Sequence, residues 1–477
     1  MADLAAPGKK WGWSKFFGPK MNRRAFRSTE EIFVIIVGAC LTAIFSGLNR
    51  PLWVDEFLHF SLAGQPWSEV WSYIVLTSDT VNHGQTWFYQ VISIFLLDVF
   101  GASFLGLRLV SWIATFSLLV STYYFLRLFS VPMGLRLFVG GIVLANSYFS
   151  FEMGNGRAYI LLVATTALTA YSLFSLLSPE KTRFSSKTFF GTVVTVGALN
   201  HPYFPVILGA LVVGFLFTKG ALRDEPLGAA FWSIRIQLGL TVASGLLSIV
   251  VGQLTWMRGS RDFASFDPFK AFKNFGLDVG VSEVFGLTVI FVLVGVLLLF
   301  WVVRVSRNSS LEPRLLIGLV FVLAGIGLSL FFTWISIWRN YWIFPRQWLA
   351  GAFLVFIGFA ILAAVLLAYV ANKKPRVVVM IGTGIVWVAA LTMIAFASGR
   401  ELYIAEQNRA WWDSLSSHSL ATAEEDGYRF WDIAGNLNVK CGGRIWPELA
   451  NFYDTSYSSE IALEEIKGLA SSCADSE

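Results

Sequence analysis

The chain has 477 residues, of which 56% are hydrophobic and only 14% charged, with a net charge of +5. A mean hydropathy of +0.63 excludes a soluble globular domain of ordinary make-up and points to lipid as the solvent. The positive balance could suggest nucleic acid, but Lys and Arg cluster in short loops between apolar stretches, which is the positive-inside pattern.

The chain opens on a basic segment, 1–30. Lys9 to Arg27 hold seven basic residues and no acid, and their aromatic content does not fit a secretory leader. The segment is expected to be cytoplasmic and partly interfacial. A first span over 31–48 then carries the chain to the outer face, so Asp55 and Glu56 are expected outside.

Further spans are expected at 107–126, 137–151, 158–177, 188–200, 203–218, 237–256, 284–303, 315–335, 347–370 and 377–397, about eleven in all. The loops 127–136, 181–187, 219–235, 304–314 and 373–376 are basic and fall on one side. The stretch 84–99 is apolar but short and holds Gln85, Gln90 and Asp98. Counting it as a span would invert every later loop, so it is expected to be a juxtamembrane helix on the outer surface, within a first outer loop over 50–106.

The region 31–397 thus reads as one all-α polytopic membrane domain. From Arg400 onward the tail has fourteen acidic and six basic residues, and parity places it outside. A small α/β extracytoplasmic appendage over 398–477 is expected, with a Cys441–Cys473 disulfide left open. The chain is therefore expected in a cell inner membrane, N-terminus cytoplasmic and C-terminus periplasmic.

Almost no ionisable group falls mid-span, so the deep charges that ion-coupled carriers keep are missing. The polar groups capable of chemistry gather instead at the outer ends: Asp55, Glu56, Asp79, His83, Glu152, Arg157, His201, Arg339 and Arg346. Asp55 and Glu56 stand between Trp53 and Phe57, and a carboxylate shielded from water suits general-base work. A plain acidic patch is the competing reading.

Arg339 and Arg346 stand among aromatics, where guanidinium binds phosphate bidentately, in competition with ordinary snorkelling. Glu152 and Arg157 flank a turn with Gly154 and Gly156, where backbone can approach a ligand closely or a salt bridge can simply close. No metal-ligand spacing, Walker loop or G-x-S-x-G elbow appears.

These residues resemble the C-type (GT-C) integral-membrane glycosyltransferase superfamily, in its protein O-mannosyltransferase and lipid A aminoarabinose transferase branch. Asp55-Glu56 resembles the acidic motif after the first span. His83, the helix from Gln85, and Gly101 to Arg108 are similar to the motifs closing the first loop, with Gly84-Gln85 where the branch has prolines. Glu152 to Tyr159 resembles the turn before Arg-x-Tyr, Asn200-His201-Pro202-Tyr203 a Thr-His-Tyr turn, and Pro345-Arg346 a Pro-Arg-Tyr, with Gln347 in the tyrosine's place.

The resemblance implies an inverting transferase that moves a hexosyl or pentosyl unit from a polyprenyl-phosphate donor, such as an undecaprenyl phosphate sugar. The acceptor would be lipid A or lipopolysaccharide core, a surface glycan or a protein of the cell envelope. It implies Asp55 as base, Glu56 as its helper, and Arg346, Arg339, Arg157 and His83 on the donor phosphate. Glu152, Tyr159, His201, Tyr203 and Arg108 would line the substrate site, with no metal or cofactor needed, in a monomer that binds no nucleic acid. A polyprenyl-linked glycan flippase and a polysaccharide polymerase are the rival readings.

Overall fold

The computed structural model describes residues 23–47, 56, 66–76, 86–100, 104–176, 184–223, 234–256, 313–338, 345–373 and 376–415. The described elements are all helical. In chain order they are α1 (Arg23–Ile44), α2 (Trp67–Leu76), α3 (Trp87–Phe100), α4 (Phe104–Leu128), α5 (Met133–Ala145), α6 (Ser147–Met153) and α7 (Ala158–Ser175). They continue with α8 (Phe184–Asn200), α9 (Phe204–Arg223), α10 (Arg235–Trp256), α11 (Pro313–Trp338), a 3₁₀ turn (Pro345–Trp348), α12 (Leu349–Lys373) and α13 (Arg376–Leu415).

Helices run through ten of the eleven expected spans, and the remaining one, 284–303, lies outside the described residues. Five helices among the described residues are long and apolar enough to cross a membrane, or six if a bent pair counts as one span. The described residues are thus all-α, in a multi-pass membrane protein. The expected α/β appendage lies outside the described residues beyond Leu415, and Cys441 and Cys473 with it.

The bent pair is α5 and α6, which corrects the expectation of one continuous span over 137–151. The helices meet at 78°, because Asn146 leaves the helical region (φ −71, ψ 124) and its Oδ1 accepts from the backbone N–H groups of Tyr148 and Phe149, at 3.1 and 3.2 Å. Asn is a preferred helix N-cap for this reason. The second limb, α6, therefore runs across the end of the bundle rather than through it.

Two ends of the bundle are defined by their polar contacts. At one, Glu30 of α1 accepts from Tyr123 Oη at 2.6 Å and Arg136 Nη1 at 2.9 Å, with Arg127 Nη1 3.3 Å away. Arg314 of α11 donates to the Phe129 carbonyl beside them at 3.5 Å. These cations come from two of the expected basic loops, so the alternation read from charge holds between them.

Between the ends, Phe125, Phe174 and Phe321 meet with ring centroids 5.2–5.9 Å apart. In lipid, close packing rather than water exclusion drives helices together. α11 and α12 show how: Gly318 faces Gly358 and Gly325 faces Gly351, so closely that a Cβ on any of them would strike the partner helix.

α3 packs mainly on α4, with Tyr89, Gln90, Ser93, Ile94 and Leu97 buried. At 14 residues it is roughly 21 Å long, too short to span the hydrocarbon. α13 has 40 residues, roughly 60 Å, so it continues well past 397 to Leu415.

Candidate functional site

The other end of the bundle gathers the C-terminal ends of α1, α5, α8 and α11, the N-terminal ends of α4, α7 and α9, and the 3₁₀ turn. Its centre is the loop between α6 and α7, residues 154–157.

Glu56 and Arg108, both with side chains 0% exposed, form a bidentate pair: Arg108 Nε and Nη2 each donate to a Glu56 carboxylate oxygen at 2.9 Å. Glu56 Oε1 also accepts from the Gly156 backbone N–H at 2.6 Å, and Arg108 Nη1 donates to the Gly47 carbonyl. Planar guanidinium matches carboxylate two bonds at a time, and a buried pair needs such added hydrogen bonds to offset its desolvation. The pair ties the end of α1, the first loop, α4 and the 154–157 loop into one unit.

Two glycines make that unit sterically feasible. Gly47 closes α1 in the left-handed region, at φ 66, and packs directly on the Gly154 backbone. A Cβ on Gly156 would stand 3.1 Å from Glu56 Oε1 and 3.1 Å from Leu107. Ser111 of α4 then donates to the Asn155 carbonyl at 2.5 Å and pairs with Tyr89 Oη of α3 at 2.9 Å.

Beside this unit lies a cationic and aromatic cluster. The Arg346 guanidinium, carried on the 3₁₀ turn, sits 4.9 Å from the Tyr159 ring centroid, and the Arg157 guanidinium 5.9 Å from the same ring. Tyr159 is 5.3 Å from the His201 ring, His201 is 4.7 Å from Tyr203, and Tyr203 stacks on Phe332 of α11 at 4.4 Å. Trp348 Nε1 donates to Thr333 Oγ1 at 3.1 Å, which holds the 3₁₀ turn on α11.

The electrostatics follow from burial. Burial pushes the Glu152 carboxyl up to about 7, against the pull of Arg346 and with a further push from Glu56. The cation that acts on Glu152 is Arg346. Burial, reinforced by Arg346, lowers His201 to about 3. His201 Nδ1 accepts from the Tyr203 backbone N–H at 3.2 Å, so its neutral ring carries the proton on Nε2, a donor.

Of the site residues read from sequence, the structure brings together Glu56, Arg108, Glu152, Arg157, Tyr159, His201, Tyr203 and Arg346. Asp55, His83 and Arg339 lie outside the described residues. Sequence reasoning missed Gly47, Ser111, Tyr89 and Arg400. Nothing local marks Ser111 or Arg400, whereas the Gly154-Asn155-Gly156 run did signal a close backbone approach. Among the described residues no group of three His, Cys, Asp or Glu could hold a metal ion.

No family profile and no curated protein matches the sequence. Among solved structures, the chain is similar to ArnT from Cupriavidus metallidurans bound to undecaprenyl phosphate, at 13% identity over 94% of this chain and 75% of that one, TM-score 0.47. The same protein in its apo state gives 13% identity, the same coverage and a TM-score of 0.48. The archaeal oligosaccharyltransferase AglB from Archaeoglobus fulgidus, in complex with an inhibitory peptide and a dolichol-phosphate, gives 12% identity over 92% of this chain and 62% of that one, TM-score 0.41. Likeness this distant carries no argument about chemistry, which rests on the geometry above.

Proposed function

We propose that the protein is an inverting GT-C glycosyltransferase that moves a sugar from a polyprenyl-phosphate donor to an acceptor at the outer face of the inner membrane. The observation that carries this reading is the placement of Arg157 and Arg346 against one ring, Tyr159. They come from opposite parts of the chain to the end of a membrane-spanning bundle. Two guanidiniums at the edge of lipid suit a lipid-borne phosphate, an acceptor of hydrogen bonds on every oxygen.

In this mechanism the acceptor hydroxyl attacks the anomeric carbon while Asp55 takes its proton. The bond from that carbon to the phosphate oxygen breaks, and polyprenyl phosphate leaves with the electron pair. Charge grows on the leaving phosphate, so Arg346 and Arg157, with Arg339, His83 and the Nε2–H of His201, stabilise the transition state. Glu56, locked to Arg108 and Gly156 N–H, acts by fixing the segment that carries Asp55. Glu152, Tyr159 and Tyr203 border the sugar and the acceptor. The acidic tail lies on the acceptor side, and residues 1–30 in the cytoplasm.

The test is incubation of the purified protein with a panel of polyprenyl-phosphate hexoses and pentoses, with released polyprenyl phosphate as the readout. Release from at least one donor, abolished by Asp55→Asn, is expected. No release from any donor overturns the reading. A flippase would still move lipid with Asn at position 55.

A further inference from the structure

The 154–157 loop is fixed through its backbone. Gly156 N–H donates to Glu56, the Asn155 carbonyl accepts from Ser111, and Gly154 lies on Gly47. The Asn155 side chain stands apart from this: the residue is 2% exposed, yet Nδ2 has no hydrogen-bond partner. Asn200, 0% exposed, commits Nδ2 to the Ala158 carbonyl at 3.1 Å, which leaves Oδ1 a buried acceptor with no partner. Glu152 Oε2, on a residue 2% exposed, is a third such atom.

Buried donors and acceptors are nearly always satisfied, and leaving them unmade is costly. Three attached to one short stretch, 152–158, mark a place where a ligand supplies the partners. Their chemistry narrows the ligand. Phosphate oxygens only accept, so they answer the Asn155 amide but not the Asn200 carbonyl oxygen. A hydroxyl both donates and accepts, and neighbouring hydroxyls on one ring answer an amide donor and a carbonyl acceptor together. Tyr159 and Tyr203, joined through the His201 ring, border the same stretch.

We propose that Asn155 and Asn200, together with Glu152, form the subsite that reads the hydroxyl groups of the donor's sugar, beside the arginines that hold its phosphate. The assignment rests on the transferase reading above. It makes Asn155 and Asn200 specificity-determining residues, one through a donated and one through an accepted hydrogen bond.

The experiment compares binding of bare polyprenyl phosphate and of the same lipid carrying a hexose or a pentose. The proteins are the purified full chain, Asn155→Ala and Asn155→Asp, the last of which turns a donor into an acceptor at nearly constant shape. Both variants are expected to lose about tenfold more affinity for a sugar-linked lipid than for the bare one, the size of one hydrogen bond. Equal loss on both lipids in both variants assigns Asn155 to the loop's fold and overturns the subsite. So does no loss on either, which is the result for a pocket that holds only water. If the unsubstituted protein binds neither lipid, the donor reading itself fails and takes the subsite with it.

Discussion

Arg400 of α13 donates to Ser150 Oγ of α6 at 2.7 Å and to the Ala145 carbonyl of α5 at 3.1 Å. A helix leaves its last carbonyls without partners, and here an arginine from α13 supplies them where α5 stops. The break that turns α6 across the bundle, and so aims Glu152 and the 154–157 loop, is held from the far end of the chain.

Arg400→Met should therefore loosen the bend, at a cost of about 1–3 kcal/mol for the carbonyls and hydroxyl left behind. Thermal unfolding in detergent measures this. Arg400→Lys, with one cationic centre for several acceptors, should recover only part of the loss.

Glu56→Gln leaves Arg108 buried without its counter-charge and should destabilise by about 3–5 kcal/mol. Replacing both residues with apolar ones of similar volume should recover much of that stability but not the transfer activity. A double-mutant cycle on the melting temperature checks the coupling. Additive single and double effects would refute the pair as one unit.

Gly156→Ala places a Cβ 3.1 Å from Glu56 Oε1 and from Leu107, so the loop must give way by a few tenths of an ångström. The expected result is a folded protein with a melting temperature a few degrees lower and donor release reduced. Gly47→Ala is worse, because its positive φ and its contact with the Gly154 backbone both resist a side chain. It should express poorly or unfold in detergent.

Arg346→Ala should weaken polyprenyl phosphate binding by about 2 kcal/mol or more, as expected for a charge-assisted contact. Arg346→Lys should recover only part. Titration of the bare lipid phosphate measures both. Unchanged affinity in Arg346→Ala would remove the residue from the phosphate site.

Glu152 gives a pH signature. Its carboxyl stands near 7 in the fold against an ordinary value of 4.5, so between those values the folded state holds a proton that the unfolded state has released. Stability from this group is present below the lower value and falls as pH rises to about 7. Glu152→Gln should remove that slope, so its melting temperature gains on the unsubstituted protein from pH 5 to pH 8. Parallel curves for the two proteins would show that the carboxyl does not titrate in this range.

The membrane architecture was legible because lipid demands long apolar helices and tolerates charge only at their ends. Helices at ten of the expected positions could be placed from hydropathy, and the shared side of Arg127, Arg136 and Arg314 from basic loops. The break at Asn146 was not legible, since Ala145-Asn146-Ser147 lies within an apolar run and only the cap geometry and Arg400 make it a bend. Arg108 was singled out for a substrate, yet its two bonds to Glu56 need a partner 52 residues away, which spacing does not encode.

The sequence by itself determined the solvent, the helices, their alternation and which polar groups sit at span ends, because each follows from local composition and helix length. Only the tertiary structure decided which of those groups meet. Glu56 with Arg108, and Arg157 with Arg346 against Tyr159, are pairings between distant segments, selected by packing of helices whose order in the chain says little about their neighbours in space.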